Sequence, residues 1–443
     1  MTGPGTQPPR RSALPKVYPT VVEMLVDAAA RKPHAEALVC GEQPLHYASY
    51  LRCVASFAAE LASLGARGER VATVLANSID ACIAAFGALA CGAQQVPLNP
   101  LLAPRELDAI LRDASPVALV LDQALAAALA PVAGAAGIRH LIVVGPQARR
   151  LDRDGEHAAL PALPAPDALA LLQYTGGTTG APKGVNLAHR SIAINVSQRE
   201  ALLPTRAGER IICMMPVSHA YGMAMGLFLA AYCGGTLVIL PRYAPDEVLA
   251  AVTRERITVF PGSPTVFVGL MAHPDFLRTD WSTVHTCYSG ASALSAETLR
   301  RWCEAVGAPV YEGYGQTEAG PVLSFNPAGA PIRPGSVGVP VPLTEIQIVD
   351  VESGRTVLGP GERGEIRARG PQCMRGYRDR PAETAEALRD GWLYTGDIGE
   401  LDAEGYLYIR DRKKDMVIVG GYNVYPREVE EVLLRHPGVA ECS

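Results

Sequence analysis

Strand-like apolar segments alternate with helix-like segments along most of the chain, and this alternation restricts the fold more than any other feature. The segment 70–76 ("RVATVLA") predicts a buried strand, and 78–92 predicts a helix that ends at glycine. A Pro-, Ala- and charge-rich linker is predicted at 145–167, after which the alternation continues to residue 311. Repeated strand–helix units predict mostly parallel, doubly wound sheets with helices on both faces.

The sequence pattern changes near residue 336. Short alternating segments between glycine turns ("EIQIVD", "GEIRARG", "GYLYIRD") predict a small β-rich unit. A chain of 443 residues is too long for one core. We therefore predict a disordered Pro- and Gly-rich tail at 1–16, α/β subdomains at about 17–335 and a β-rich subdomain at about 336–410.

The segment from Ile211 to Pro241 contains no Asp, Glu, Lys or Arg and is long enough to span a bilayer. However, Pro216, His219 and the Gly234-Gly235 pair interrupt it, and a helix broken in this way would leave backbone groups unsatisfied in lipid. We therefore predict a strand, a helix, a turn and a strand in the core of a parallel sheet, with no transmembrane segment.

Charge and cysteine content limit the possible partners. The net charge of −5 and the absence of a basic run give no electrostatic reason to expect nucleic acid or an anionic membrane surface. The 10 cysteines form no C-x-x-C pair and no histidine cluster lies near them, which argues against a zinc site or a disulfide framework. Without a signal peptide, we expect a cytoplasmic protein.

The segment 173–185, "QYTGGTTGAPKGV", predicts a phosphate-binding loop. It is not a Walker A loop, because Pro182 precedes Lys183 and Gly184 occupies the position of the Mg²⁺-binding hydroxyl. It does not match the dinucleotide pattern G-x-G-x-x-G either. Backbone N–H groups, threonine hydroxyls and one lysine remain, which suit a pyrophosphate. The alternative is a Gly- and Thr-rich surface turn.

This loop resembles the signature loop of the adenylate-forming (ANL) superfamily, which includes acyl-CoA synthetases, peptide-synthetase adenylation domains and firefly-type luciferases. Five further segments resemble family motifs in the same order: "MMPVSHAYG" (214–222), "YEGYGQTEAGPV" (311–322), "GEIRARGPQCMRGY" (364–377), "GWLYTGDIG" (391–399) and "DRKKDMVIVGGYNVYPREVEEVL" (411–433). The resemblance covers nearly the whole chain. It implies a large N-terminal AMP-binding domain over 17–410, made of two doubly wound α/β subdomains and a distorted β-barrel, followed by a hinge at 411–443.

The activity implied by the resemblance is the activation of a carboxylic acid by ATP and Mg²⁺ to an acyl-adenylate, followed by thioester formation with CoA. The matching loop residues would hold the β- and γ-phosphates: Thr175, Gly176, Gly177, Thr178, Thr179, Gly180 and Lys183. Thr317 would contact the α-phosphate, and Glu318 would bind Mg²⁺. From the residues alone, Lys183 is equally a solvated surface lysine, and Glu318 a buried partner of an arginine.

Other motif residues would bind the nucleoside. Tyr314 is flanked by Gly313 and Gly315, so its ring would lie flat on adenine with no neighbouring side chain in the way. Asp397 would bind the ribose hydroxyls, although an aspartate in a glycine turn is often an ordinary turn residue. Further contacts implied by the resemblance are Arg412 to the ribose and Gly290, Ala291 and Ser292 as the opposite adenine wall. Glu312 would lie beside the adenine edge, with a simple core or surface role as the alternative.

The acyl side of the site is predicted to be apolar. His219 would lie between the nucleotide and acyl pockets and control access, unless it is simply a core histidine. The lining segments "MAMGLFLAAY", "YSGAS" and "GPVL" carry no obvious cation and favour a hydrophobic acid. Several segments are most similar to long-chain fatty-acyl-CoA synthetases, whereas "GYGQTEAGPVL" also resembles 4-coumarate-CoA ligases, so fatty and aryl acids both remain open.

The family has a C-terminal lysine that contacts the carboxylate and the α-phosphate, and this sequence ends at Ser443 before it. We therefore expect a truncated chain or gene fragment, or one completed by a partner, with low turnover alone. Lys414 matches the hinge, and Gly420 and Gly421 match the CoA channel. Three hypotheses follow: an acyl-CoA ligase, an enzyme that loads an acyl carrier protein, or an acyl-adenylate-binding module without catalysis.

Overall fold

The strands in the described part of the chain form two large mixed sheets and two smaller antiparallel ones. The computed structural model describes residues 13–153, 159–175, 182–415, 417–419, 422–424 and 426–433. Its strands are β1 (Glu36–Cys40), β2 (Gln43–His46), β3 (Arg70–Val74), β4 (Gln94–Leu98), β5 (Ala118–Asp122), β6 (His140–Val144), β7 (Leu169–Thr175), β8 (Lys183–Ala188), β9 (Arg210–Cys213), β10 (Thr236–Ile239), β11 (Val259–Gly262), β12 (Thr286–Ser289), β13 (Val310–Gly315), β14 (Val322–Phe325), β15 (Val339–Pro340), β16 (Glu345–Val349), β17 (Gly364–Arg369), β18 (Gly376–Tyr377), β19 (Leu388–Arg389), β20 (Trp392–Leu401), β21 (Leu407–Arg412), β22 (Val417–Val419) and β23 (Tyr422–Val424).

Helices connect most of the parallel strands. They are α1 (Val21–Arg31), α2 (Tyr47–Ser63), α3 (Ile79–Cys91), α4 (Pro104–Ala114), α5 (Ala126–Ala135), α6 (His189–Leu202), α7 (Ala220–Gly222), α8 (Leu229–Cys233), α9 (Pro245–Arg254), α10 (Pro264–Met271), α11 (Ala296–Val306), α12 (Pro381–Ala387) and α13 (Pro426–Leu433). Helix α3 shows why the boundaries follow the sequence. The Ser78 hydroxyl accepts a bond from the Ala81 N–H at its start, and Gly92 adopts φ 82° at its end.

The first large sheet has the strand order β18-β8-β7-β4-β3-β5-β6. In this sheet, all neighbouring strands from β7 through β4, β3 and β5 to β6 are parallel. Strand β8 runs antiparallel to β7. The second has the order β15-β14-β13-β12-β11-β9-β10-β1-β2, with parallel pairing from β1 to β13 in its centre. In both sheets the inner strands are almost fully buried, as expected for parallel strands covered by helices.

The uncharged segment forms part of this core, as predicted. Strand β9 is followed by a helical stretch, in which a π-helical segment, Met223–Phe228, joins α7 to α8, and then by β10. The side chains of Met223, Leu227 and Phe228 are buried in one apolar cluster that includes residues of both large sheets. Among the described residues, no helix is both long enough and apolar enough to cross a bilayer.

The β-rich region forms a curled antiparallel sheet of order β16-β17-β20-β19, and β21 pairs with β20. Strand β18 leaves this region and pairs with β8 of the first large sheet, with Tyr377 opposite Val185. The predicted fold class, two mostly parallel α/β sheets and a small distorted barrel-like sheet, is therefore confirmed. The pairing of β18 with β8 brings the third predicted motif segment, 364–377, next to the predicted phosphate loop.

Candidate active site

The predicted phosphate loop connects two paired strands. Thr175 ends β7, Lys183 begins β8, and the two residues lie opposite each other in the antiparallel register. Gly176, Gly177, Thr178, Thr179 and Gly180 lie outside the described residues. Lys183 is half-buried, and its Nζ lies 5.3 Å from the centroid of the Tyr377 ring. The lysine is therefore held against an aromatic face, not freely solvated.

Tyr377 also connects to the residue predicted to bind Mg²⁺. Its hydroxyl donates a hydrogen bond of 2.9 Å to Oε1 of Glu318. Burial, and then the nearby Glu318 carboxylate, raise the pKa of Tyr377, so the phenol stays protonated and acts as a donor. Glu318 lies in the short 3₁₀ turn Thr317–Ala319, whose position is fixed by a bond of 2.8 Å from the Met374 N–H to the Glu318 carbonyl. The partner of this carboxylate is a tyrosine, whereas the alternative interpretation expected an arginine.

The residues predicted for adenine and ribose lie together. The Tyr314 hydroxyl donates a hydrogen bond of 2.6 Å to Oδ2 of Asp397. Asp397 lies opposite Arg412 in the pairing of β20 with β21. Burial raises the pKa of Asp397, while the Tyr314 bond and the Arg412 charge oppose that rise and the Glu318 charge adds to it. Asp397 is thus a half-buried carboxylate within electrostatic range of Glu318, not an ordinary turn residue.

Gly313 and Gly315 are required by the strand that pairs with them. A Cβ on Gly313 would lie 2.4 Å from the Phe325 ring, and one on Gly315 would lie 1.8 Å from the Pro321 carbonyl oxygen. The prediction attributed these glycines to space around the Tyr314 ring. The structure adds a second reason, which is the close approach of β14 and the residue before it.

The predicted opposite wall follows the carboxyl end of β12, where ligands commonly bind in parallel sheets. Gly290 packs against Tyr221, since a Cβ there would lie 3.0 Å from Cε2 of that ring. Ala291 has φ 72°, a left-handed conformation that is uncommon for a residue with a side chain, and Ser292 follows it. Glu312 is buried at the base of this wall, where its Oε1 accepts a bond of 3.1 Å from the Leu294 N–H.

His219 stands at the start of the helical stretch that begins with α7. Its Nδ1 accepts a bond of 3.2 Å from the Tyr221 N–H. Its side chain is reached by solvent, yet the crowding of protein atoms around it lowers its pKa. With Nδ1 used as an acceptor, the neutral ring carries its proton on Nε2. His219 therefore differs from the fully buried core histidine of the alternative interpretation.

The hinge and channel residues lie beyond β21. Lys414 is exposed, with its Nζ 3.9 Å from Oδ1 of Asp415. Lys413, the residue before it, is fixed in place by two contacts. Its Nζ lies 2.8 Å from Oε2 of the buried Glu365, and the Lys413 backbone N–H donates a bond of 2.9 Å to the Gly396 carbonyl. Gly420 and Gly421 lie outside the described residues.

The residues near Glu318 are compatible with Mg²⁺. Across the described ranges, no three His, Cys, Asp or Glu side chains come together as a metal site. The resemblance assigns Glu318 as a carboxylate ligand, and phosphate oxygens would supply others. Mg²⁺ is typically bound in this way, by one or two carboxylates together with substrate phosphates and water.

The sequence pattern of the family described as "AMP-binding enzyme" matches residues 25–378. The chain belongs to this family. This AMP-binding enzyme is 35% identical to the long-chain-fatty-acid–CoA ligase of Bacillus subtilis (strain 168), over 97% of its own length and 83% of that protein's. It is 37% identical to a feruloyl-CoA synthase of an Amycolatopsis species, over 94% of this chain and 84% of the relative.

Solved structures agree with this assignment. ATP-bound MatB from Rhodopseudomonas palustris superimposes on the AMP-binding enzyme with a TM-score of 0.88 and 30% identity, over 96% of this chain and 84% of MatB. The anthranilate CoA ligase AuaEII in complex with anthranoyl-AMP gives a TM-score of 0.90 and 29% identity, over 97% of this chain and 84% of AuaEII.

Two residues of the site were missed as individual residues by the sequence analysis. Tyr377 and Tyr221 both lie inside quoted motif segments, "CMRGY" and "SHAYG". The signal was therefore present, but neither residue type suggested its contact. Tyr377 donates a hydrogen bond to Glu318, and its ring contacts the Lys183 ammonium. Tyr221 packs against Gly290, and its hydroxyl bonds carbonyl oxygens of β11 and β12.

Proposed function

We propose that this AMP-binding enzyme uses ATP to convert a hydrophobic carboxylic acid, fatty or aryl, into an acyl-adenylate and then transfers the acyl group to CoA. The observation that carries the proposal is the 2.6 Å hydrogen bond from Tyr314 to Asp397. It joins the motif predicted for adenine to the motif predicted for ribose. Family membership and the names of the relatives, which are CoA ligases and synthetases, support the same reaction.

In the proposal, each motif binds one part of the nucleotide. Tyr314 and the segment Gly290–Ser292 hold the adenine ring, and Asp397 with Arg412 holds the ribose. Thr175 and Lys183, at the two ends of the loop, hold the β- and γ-phosphates together with the loop residues between them. Glu312 lies beside the adenine edge, and its Oε1 also accepts a bond from the Leu294 N–H.

The first step is attack by a substrate carboxylate oxygen on the α-phosphorus of ATP. A new P–O bond forms, the bond from the α-phosphorus to the bridging oxygen breaks, and pyrophosphate leaves. Because both reactants are anions, the step needs cations and donors placed around the phosphates. Lys183 supplies a cation for the leaving pyrophosphate, and Thr317 supplies a hydroxyl for the α-phosphate. Mg²⁺, held by Glu318, would neutralise further phosphate charge when it is bound.

The second step is attack by the CoA sulfur on the acyl carbonyl carbon. The carbon–oxygen bond to AMP breaks, AMP leaves with the electron pair, and the thiol proton passes to solvent. The neutral His219, at the start of the helical stretch, lies where we place the boundary between the nucleotide and the acyl group. CoA, not a carrier protein, is the acceptor in this proposal, because the relatives are named for CoA thioesters.

The domain division also remains a proposal. We assign the α/β subdomains to about 17–335, the β-rich subdomain to about 336–410, and the hinge to 411–443 around Lys414. The CoA channel is assigned to Gly420 and Gly421. Pairing of β18 with β8 supports a single AMP-binding unit up to residue 410, because it joins the β-rich region to the first large sheet.

The proposed function is tested by acid-dependent exchange of labelled pyrophosphate into ATP, together with mass spectrometry of the acyl-adenylate. We expect exchange only when a hydrophobic acid is present and its loss in Lys183→Ala and Asp397→Ala. Arg190→Ala is a matched control, since Arg190 is an exposed residue paired with Asp167. The proposal would be contradicted if ATP binds but no fatty or aryl acid supports exchange or yields an acyl-adenylate.

A further inference from the structure

The backbone immediately before His219 forms a tight turn that follows β9. The His219 N–H donates a bond of 2.9 Å to the Pro216 carbonyl and closes this turn. The carbonyl oxygens of Met215 and Ser218 and the N–H of Val217 bond side chains from outside the turn. Backbone polar groups in a protein interior need such partners, so the turn depends on the side chains that supply them.

Two buried amides, one just after β3 and one in β7, are these partners. Nδ2 of Asn77 donates a bond of 3.0 Å to the Met215 carbonyl, and its Oδ1 accepts one of 2.8 Å from the Val217 N–H. Nε2 of Gln173 donates a bond of 2.6 Å to the Ser218 carbonyl. Both amides belong to the first large sheet, whereas the turn follows a strand of the second. The turn is therefore held from the opposite sheet.

Each amide connects the turn to a further element. Nδ2 of Asn77 also donates a bond of 3.2 Å to the Leu240 carbonyl, just after β10. Gln173 lies two residues before Thr175, where the proposed phosphate loop begins. A shift of the turn would leave these polar groups unpaired in the interior, which is costly. The position of His219 is therefore fixed relative to the strand that carries the loop.

We propose that Asn77 and Gln173 are positioning residues, which hold the His219 ring at the boundary between the nucleotide and the acyl group. The inference rests on the proposed function, because that function places His219 at this boundary. Neither amide needs to touch a substrate, since each acts on the backbone that carries the ring. A misplacement of about 1 Å can lower a rate by about a hundredfold, so a looser turn should reduce turnover without unfolding the protein.

The test compares Gln173→Met with Gln95→Met in acid-dependent pyrophosphate exchange. Gln95 is the matched control in β4, because it is equally buried and donates one side-chain bond, of 3.3 Å, to Thr73 Oγ1. Within the described part of the chain, Oε1 of each glutamine has no hydrogen-bond partner. We expect kcat for exchange to fall by about tenfold to a hundredfold in Gln173→Met, with KM for ATP unchanged, and to stay unchanged in Gln95→Met.

His219→Ala shows whether Gln173 acts through the histidine ring. If it does, Gln173→Met should lower kcat no further in the His219→Ala background. An effect through the neighbouring Thr175 and the phosphate loop would instead raise KM for ATP and add to the effect of His219→Ala. Asn77→Leu removes three hydrogen bonds and should follow the same pattern as Gln173→Met. Gln173→Met loses one bond, so it provides the test even if Asn77→Leu does not fold.

Nuclear magnetic resonance of protein labelled with ¹³C at histidine Cε1 gives a measurement that does not depend on turnover. The His219 signal is assigned by its absence in His219→Ala. We expect this signal to shift in Gln173→Met, because the ring moves, and to stay in place in Gln95→Met.

The outcomes separate the inference from the function on which it rests. An unmoved His219 signal in Gln173→Met, or effects on kcat that add to those of His219→Ala, would overturn the inference alone. A shifted signal in a protein that shows no acid-dependent exchange would overturn the proposed function, whereas the positioning of the ring by Gln173 would stand.

Discussion

The phenol oxygen of Tyr377 lies 2.9 Å from Oε1 of Glu318, and the ring of the same tyrosine lies beneath the ammonium of Lys183. One side chain thus contacts the carboxylate proposed to bind Mg²⁺ and the cation proposed to bind phosphate. Tyr377 reaches them because β18 pairs with β8. Replacing a residue that orients a metal ligand typically lowers metal affinity or activity by about 10- to 100-fold.

Replacing Tyr377 with phenylalanine should therefore raise the concentration of Mg²⁺ needed for activity. The carboxylate of Glu318 would lose its orienting donor, so we expect half-saturation by Mg²⁺ to rise about tenfold. The measurement is pyrophosphate exchange as a function of Mg²⁺, together with thermal stabilisation by ATP with and without Mg²⁺. Stabilisation by ATP without metal should be unchanged.

Tyr394→Phe is the matched control for this experiment. The Tyr394 hydroxyl donates a bond of 2.7 Å to the Gly354 carbonyl within the β-rich region, away from Glu318. Both variants lose a phenol hydrogen bond worth about 1 kcal/mol of stability. Equal Mg²⁺ dependence in the two variants would show that Tyr377 has only a structural role.

The ionised Asp397 side chain should lower the free energy of unfolding at neutral pH, although the same side chain is proposed to bind the ribose. Burial raises the pKa of Asp397 in the folded protein above the ordinary aspartate value. The folded state thus binds this proton more tightly than the unfolded chain, and stability falls as pH rises from the ordinary value through the raised one. Asp397→Asn cannot lose a proton, and its amide oxygen still accepts the Tyr314 hydrogen bond.

We therefore expect Asp397→Asn to be at least as stable as wild type at pH 7 and to bind ATP at least tenfold more weakly. Urea unfolding at several pH values and calorimetry with ATP provide the two measurements. The stability difference between variant and wild type should grow as pH rises above about 4, the ordinary aspartate range. A variant that is less stable than wild type at neutral pH would contradict this reading of Asp397.

His189 should account for part of the loss of stability in acid. The ring is fully buried at the start of α6, and within the described part of the chain neither of its nitrogens has a hydrogen-bond partner. Burial lowers the pKa of His189 to about 4. As pH falls from the ordinary histidine value of about 6.5, the unfolded chain takes up a proton that the folded protein does not. Stability should therefore fall by up to about 3 kcal/mol between pH 6.5 and 4.

His189→Phe removes this titration, so its unfolding free energy should depend less on pH across the same range. Urea unfolding from pH 7.5 to 4.5 measures the difference. His34→Phe is the control, because His34 is exposed. Parallel pH curves for His189→Phe and wild type would mean that His189 does not contribute.

Much of the fold was predictable because it depends on local periodicity. Strand β9, the helical stretch and β10 follow directly from an uncharged segment broken by Pro216, His219 and two glycines. The pairing of β18 with β8 was not predictable, because a two-residue edge strand has no period of its own and its partner is distant in sequence. The contacts of Tyr377 depend on that pairing, so they could not be read from the motif.

Glycines in the site show a related limit. The sequence placed Gly313 and Gly315 beside Tyr314, but their closest neighbours, Phe325 and Pro321, belong to the next strand and the residue before it. Register between strands is a tertiary property, set by packing of both faces. The sequence therefore indicates that these two glycines accompany Tyr314, but it gives only part of the reason for them.

These contacts predict that the two glycines tolerate alanine differently. In Gly313→Ala the new methyl group contacts the Phe325 ring, which belongs to a side chain and can rotate away. In Gly315→Ala it meets the Pro321 carbonyl at 1.8 Å, and a backbone atom in a paired strand region cannot move alone. Overpacking of this kind typically reduces stability by about 1–3 kcal/mol. We expect Gly313→Ala near the lower end and Gly315→Ala at or above the upper end, with ATP affinity lowered in both.

The second substitution Phe325→Leu distinguishes the two causes. It removes the ring that opposes the methyl of Gly313→Ala, so the double variant should regain ATP affinity relative to Gly313→Ala alone. It should give no such recovery with Gly315→Ala, whose obstacle is the Pro321 carbonyl. Urea unfolding and ATP calorimetry on wild type and five variants, the three single and the two double ones, form two double-mutant cycles. Equal recovery in both cycles would show that Phe325 acts on the strand as a whole and not on Gly313.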